Sequence, residues 1–142
     1  MIKRSSNRRS HEGGEGKMVQ LNHTIVWCHD KAASSEFLAR VLALSPPEPF
    51  YHFMVVKLDN DVSMDFMEKE GKVAHQHYAF LVPEAEFDGI FARIKDEGVG
   101  YWADPARTQP RSINHHDGGR GVYFEDPNGH LLEVITRPYG SG

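Results

Sequence analysis

The sequence predicts an α+β fold assembled from two βαβββ units, and three observations lead there. A strand, a helix and then several strands occur in that order twice along the 142 residues. The apolar stripes of the two helices overlay at a shift near 53, with Phe37, Leu38 and Val41 falling on Ile90, Phe91 and Ile94. His23 and His77, separated by 54 positions, enter the first strand of each unit, which requires a one-residue difference in length between the halves. The units are expected over about 19–70 and 73–138, within a single domain spanning 18–140.

In chain order, Leu21, His23, Ile25 and Trp27 alternate with Asn22, Thr24, Val26 and Cys28, which reads as a strand with usable residues on both faces. Asp30 is a suitable N-cap for a helix from about Lys31 to Leu44. Pro46, Pro47 and Pro49 then forbid helix. Tyr51 to Leu58 and Val62 to Met67 read as a strand pair turning at Asp59-Asn60-Asp61. After a polar connector, Gln76 to Val82 is the second entry strand, and Pro83 to Glu97 is a second amphipathic helix ended by Gly98. Tyr101 and Trp102 begin a short strand before a long loop from Pro105 to Gly119.

The last hairpin is the most informative stretch. Val122 to Glu125 and His130 to Ile135 flank Asp126-Pro127-Asn128-Gly129, where Pro127 presets the first corner and Gly129 supplies a left-handed residue. If Asp126 faces His130, then Tyr123 lies opposite Glu133. Alternation puts Val122, Phe124, Leu132 and Val134 on a uniformly apolar core face. Tyr123, Glu125, Leu131, Glu133 and Ile135 share the other face. A carboxylate between Leu131 and Ile135 needs a partner, because an unpaired buried charge is expensive. A metal ion would supply one.

Composition narrows the classes. A hydrophobic fraction of 39% and a charged fraction of 25% are ordinary for a globular chain. One cysteine, Cys28, rules out an intrachain disulfide framework and fits a cytoplasmic location. No apolar run approaches the roughly 20 residues that a membrane-spanning helix needs. Residues 1–17 hold five Lys/Arg against two Glu and read as a disordered basic tail, while the remainder holds eleven basic against eighteen acidic residues, net −7. An acidic body argues against nucleic acid as the main partner. Gly118-Gly119-Arg120-Gly121 precedes a strand rather than opening a helix, so it is no phosphate loop. Cys28 lacks the signs of an activated thiolate.

His23, His77 and Glu133 fall on three separate strands, and two imidazoles with one carboxylate can leave one face of an iron(II) or manganese(II) ion open. The alternative is a set of partly buried histidines satisfied by ordinary hydrogen bonds. Among nine histidines, His75 is the main rival ligand, and His130, beside the tight turn, reads as a solvated hairpin residue. His115 and His116 sit in a mobile-looking loop from which either could shuttle protons over a site. Tyr123, set beside Glu133 by the register, could donate a hydrogen bond to a metal-bound oxygen. Asp65 is roughly the first-half counterpart of Glu133 and reads as a surface strand residue. Tyr51, Phe53, Tyr101 and Trp102 are candidate pocket walls.

LNHTIV at 21–26, HYAFLV at 77–82 and GRGVYFEDPNGHLLEVITRP at 119–138 resemble the vicinal oxygen chelate superfamily, which includes glyoxalase I, bleomycin-resistance proteins, fosfomycin-resistance thiol transferases and extradiol dioxygenases. The resemblance covers about Val19 to Pro138. More narrowly, YWADP at 101–105, the Asn114 to Gly121 loop and the ITRPYGSG ending resemble the ChaP-like dioxygenase subgroup of chartreusin biosynthesis. The resemblance implies paired modules forming a half-barrel around a divalent metal, iron(II) first and manganese(II) or another ion second, held by His23, His77 and Glu133. It also implies a homodimer in which one chain gives the first-strand ligand and its mate the other two.

The activity so implied is a metal-dependent dioxygenase or oxidase of antibiotic biosynthesis. Its substrates would be dioxygen and a small, catechol-like aromatic molecule chelated through vicinal oxygens, with Tyr123, His115 and His116 managing protons. The glyoxalase I pattern has four protein ligands, and no clear fourth stands out here. The fosfomycin enzymes carry a threonine where this chain has Ile25, which counts against thiol transfer. The remaining alternatives are a non-oxidative lyase or transferase on the same metal and a metal-free protein that sequesters an antibiotic.

Overall fold

The computed structural model describes residues 17–142. The expected basic tail, apart from Lys17, lies outside the described residues. In chain order the elements are β1 (His23–Cys28), α1 (Lys31–Leu42), β2 (Glu48–Phe50), β3 (Phe53–Lys57), β4 (Ser63–Glu68), β5 (His77–Leu81), α2 (Glu84–Asp96), β6 (Tyr101–Trp102), β7 (Gly121–Glu125) and β8 (Leu131–Ile135). They form two four-stranded sheets, ordered β1-β4-β3-β2 and β5-β8-β7-β6. Each sheet thus pairs its entry strand in parallel with its last strand and closes with antiparallel neighbours. This is the anticipated repeat of βαβββ. No described helix is long and apolar enough to cross a membrane.

Local chemistry explains the element ends. The Asp30 carboxylate accepts the Ala33 N–H at 3.0 Å and starts α1. Ala43 adopts φ 56°, and the Leu44 N–H returns to the Ala39 carbonyl, so the helix stops two residues before the expected Leu44. The three prolines do forbid helix, yet Glu48–Phe50 still forms a short edge strand, because an edge position tolerates Pro49. In α2, Glu84 and Glu86 occupy the first turn and Arg93 and Lys95 the last, matching the helix dipole in the absence of a side-chain cap. Arg40 of α1 grips Glu97 just past α2 with two hydrogen bonds of 2.6 and 2.9 Å.

One face of each sheet is spent on the core. Val26, Cys28, Val56, Met64 and Phe66 from the first sheet join Phe80, Val122, Phe124, Leu132 and Val134 from the second in one apolar cluster with both helices. Phe37 of α1 lies 6.3 Å from Phe124 of β7, so the core crosses between the modules. The β7–β8 register is the one the turn dictates, with Tyr123 opposite Glu133 and Val122 opposite Val134. Gly129 closes the turn at φ 87°, and the Asp126 carboxylate accepts the N–H groups of both Asn128 and His130. The Asn128 side chain donates to Ser34 Oγ and accepts the His29 N–H, pinning the hairpin tip to the start of α1.

His130 is not the solvated residue the sequence suggests; it is fully buried. Its Nδ1 accepts the Gln76 N–H at 2.9 Å, which leaves Nε2 to donate to the Trp27 carbonyl at 2.7 Å. The turn tucks this ring between the entry strands of the two modules. Gln76 lies just outside β5, and its side-chain amide accepts the Trp27 N–H and donates to the Ile25 carbonyl, bridging the edge of β1. The sheets therefore adjoin at β1 and β5 through side chains, and the opposite face of each sheet is left for other work.

Candidate metal centre

On the free face of the second sheet, β5 and β8 bring His77 beside Glu133. Glu133 is 2% exposed, whereas the His77 side chain is 49% exposed. A backbone carbonyl only accepts, so His77 Nδ1 carries the ring proton and donates to the Leu131 carbonyl at 2.9 Å. Neutral His77 then presents a bare lone pair at Nε2, 3.2 Å from Glu133 Oε1. Two lone pairs facing each other call for a proton or a cation between them. Metal-binding histidines commonly spend their second nitrogen on a carbonyl in this way. The spacing also fits, because two ligands at right angles, each about 2.1 Å from one ion, stand about 3 Å apart. The residues present fit a divalent metal.

Glu133 Oε2 is engaged as well. It accepts a hydrogen bond from the Tyr139 hydroxyl, which lies 2.9 Å from the Tyr123 hydroxyl. The Tyr123 ring stacks on His77 with centroids 6.3 Å apart. Burial pushes both phenols above the ordinary tyrosine range, and the Glu133 carboxylate adds to the rise. Both therefore hold their protons at neutral pH and serve as donors. His116, in a short 3-10 turn, sets its ring 6.4 Å from that of Tyr139; it and His115 are exposed.

His23 lies elsewhere, on the free face of the first sheet. Its Nδ1 faces Asn22 Oδ1 at 2.7 Å, which leaves Nε2 open. It lines a cleft of about 660 Å³ with Ile25, Phe50, Phe53, Val55 and Asp65. Among the described residues, no three His, Cys, Asp or Glu side chains of one chain stand together as a metal cluster. The structure thus unites His77 and Glu133 and leaves His23 apart from them.

Asp65 is a correction to the sequence reading. It is 8% exposed rather than a surface residue, because β4 runs between β1 and β3 and sets Asp65 across from Ile25 and Val55. Its Oδ1 has no hydrogen-bond partner among the described residues. The register repeats here: Asp65 pairs with Ile25, two past His23, as Glu133 pairs with Ala79, two past His77. Tyr139 was missed outright. The available signal is Pro138, which starts a turn three residues past the end of β8 and keeps Tyr139 within six residues of Glu133. His75, the rival ligand, lies against Gly129 in the hairpin turn. Of the candidate walls only Phe53 lines the cleft: Tyr101 packs edge-on against Phe91, Trp102 lies under Arg107, and Tyr51 is 84% exposed. Burial and nearby Glu68 push the Cys28 thiol up to about 11, consistent with an inert core cysteine.

The family described as the glyoxalase/bleomycin resistance protein/dioxygenase superfamily matches residues 20–134. The solved structure of oxidase ChaP-H1 is 58% identical with a TM-score of 0.84, covering 87% of this chain and 99% of that one. Oxidase ChaP-H2 is 57% identical with a TM-score of 0.86, covering 89% and 99%. Among curated proteins, the metallothiol transferase FosB of Shouchella clausii is 30% identical over 110 residues, 75% of this chain and 71% of that protein.

Proposed function

Because the chain belongs to the glyoxalase/bleomycin resistance protein/dioxygenase superfamily, we propose that it is a metal-dependent oxidase or dioxygenase acting on a small aromatic, catechol-like substrate. The observation that carries the metal is His77 Nε2 standing 3.2 Å from the buried Glu133 carboxylate while Nδ1 is spent on the Leu131 carbonyl. The ion is iron(II), with manganese(II) as the alternative, since imidazole and carboxylate suit both. Oxidation is favoured by the two oxidases that share 57–58% of their residues with this chain over almost their whole length.

The site is shared between two copies of the chain in a homodimer. His77 and Glu133 come from one copy and His23 from the other, because His23 opens on a different sheet face from its own His77 and Glu133. The half-exposed His77 ring and the 61% exposed Leu81 on the same strand support a covering partner. When bound, the metal supplies Lewis acidity that lowers the pKa of the substrate hydroxyls and a centre for oxygen chemistry. The protein's own contribution is positional. Glu133 and the two histidines hold the ion, Tyr123 offers a retained proton to a substrate oxygen, and His115 and His116 exchange protons at the solvent side. The cleft beside His23, walled by Phe50 and Phe53, takes the aromatic rings.

Two measurements test this. In His77→Ala the bound metal, measured by elemental analysis of purified protein, falls to a small fraction of wild type; unchanged content removes the centre. Oxygen consumption with a catechol panel then separates oxidation from the second reading, a thiol transferase, for which the 30% identity to a metallothiol transferase speaks. Thiol adduct formation without oxygen uptake would establish that alternative.

A further inference from the structure

The glycine run at 118–121, which makes no phosphate loop, has a different use in the structure. Gly119 and Arg120 carry the β7–β8 pairing past the strand ends: the Arg120 N–H donates to Thr136 Oγ1 at 2.9 Å, and the Thr136 N–H donates to the Arg120 carbonyl at 3.0 Å. A Cβ on Gly119 would stand 2.6 Å from both Arg137 Cγ and Thr136 Oγ1, so glycine is what lets the two stretches lie this close. Farther along, the Arg137 guanidinium donates to the Ser141 carbonyl at 2.6 Å, and the Gly142 N–H reaches Asp117 at 3.3 Å. Residues 136–142 are thus fastened along the loop that carries His116. They bring the Tyr139 hydroxyl onto Glu133 Oε2, while His77 Nε2 stands 3.2 Å from Oε1. Tyr139 is 55% exposed, so its ring adds little to the core, and the contact with the carboxylate is what its placement achieves.

We propose that residues 136–142 form a strap that positions the metal centre: seated against Gly119, it holds the Tyr139 hydroxyl on Glu133 Oε2 and so keeps Oε1 turned to His77. This rests on the reading of His77 and Glu133 as metal ligands. The last torsion of a glutamate is broad, so an untethered carboxylate divides its oxygens among several directions. A donor fixed on one oxygen removes that freedom and leaves the lone pairs of the other to the space it shares with Nε2. An ion in that space leaves the Tyr139 contact undisturbed, so the tether serves binding rather than opposing it. Tyr139 is therefore a positioning residue, and Gly119 acts through it.

The test is a double-substitution cycle in the full-length protein, with Mn(II) affinity measured by calorimetry well below the thermal midpoint of every variant. Tyr139→Phe keeps the ring, removes the hydroxyl and weakens Mn(II) binding by about tenfold, the lower end of what losing a group that orients a metal ligand costs. Gly119→Ala lifts the strap and weakens binding by a similar factor. Because both act through one hydroxyl, the double variant binds no more weakly than either alone. A tyrosine and a glycine that merely support the fold would lower the thermal midpoint and leave the Mn(II) affinity of the folded protein as it is. Unchanged or tighter binding in Tyr139→Phe overturns the proposal. Unchanged binding in Gly119→Ala, or losses that multiply in the double variant, overturns the seat. If Gly119→Ala does not fold, Arg137→Ala, which opens the clasp to Ser141, replaces it in the cycle with the same outcomes. Wild-type Mn(II) affinity in both His77→Ala and Glu133→Gln fails the metal reading itself, a result distinct from the others.

Discussion

A buried acid oxygen without a hydrogen-bond donor is a cost that folding alone does not explain, and among the described residues Asp65 Oδ1 is such an atom. Asp65 lines the cleft that also holds His23. Replacing it with an apolar side chain should therefore separate stability from binding. Asp65→Leu is expected to raise unfolding free energy by about 1–3 kcal/mol, measured by urea denaturation, while weakening the binding of a catechol ligand. Loss of stability would mean that the carboxylate already has a partner in the folded protein. His130 is the contrasting case, because both ring nitrogens are spent on backbone groups, the Gln76 N–H just before β5 and the Trp27 carbonyl in β1. His77 and His130, both beside the β7–β8 hairpin, thus have opposite fates, and the sequence could not tell them apart. Which nitrogen is already engaged depends on Gln76 and Trp27, neighbours that no local pattern specifies.

Elements were more legible than side-chain partners. The register of β7 with β8 follows from a three-residue loop with Gly129 in the left-handed region, so the location of Glu133 opposite Tyr123 could be derived by counting. Gly129→Ala would add a Cβ 2.7 Å from His75 Nε2 at φ 87°. It should destabilise the protein by at least about 1–2 kcal/mol, seen as a lower denaturation midpoint. By contrast, β2 escaped prediction because prolines mask edge strands, and the early stop of α1 depended on Ala43 adopting φ 56°, which alanine does not signal.

The two helices carry their own pH dependence. Hydrogen bonding to Arg40 holds the Glu97 carboxyl below its ordinary value of 4.5. A depressed carboxylate stabilises the fold fully above that value and loses the contribution as pH falls through the folded-state pKa. Arg40→Ala should therefore flatten the acid side of the stability profile below about pH 4.5 and leave the slope above pH 6 unchanged, as read from thermal midpoints.

For the whole molecule, the repeat is the organising fact. Each module presents a histidine on its entry strand and an acid two pairs along on the neighbouring strand, and the two faces lie on separate sheets. The matching helices and entry histidines announced this repeat. What sequence spacing could not announce is whether the faces meet within one chain or between two, since that depends on how the sheets adjoin. A shared centre makes a sharp prediction. His23→Ala and Glu133→Ala proteins, each inactive alone, should regain about a quarter of wild-type sites when unfolded together and refolded as a mixture, because half the dimers are mixed and each mixed dimer keeps one intact site. No recovery would place all ligands in one chain.

The amide of Gln76 takes the place of a backbone ladder between β1 and β5. A single rotamer therefore occupies two hydrogen-bonding groups of a strand that borders its sheet, and shields them from foreign chains. Shortening that side chain, as in Gln76→Ala, would bare the Trp27 N–H on β1 and leave the Ile25 carbonyl with only the Tyr78 hydroxyl at 3.3 Å. The hazard created is strand recruitment, so turbidity on storage is where the damage should first be seen.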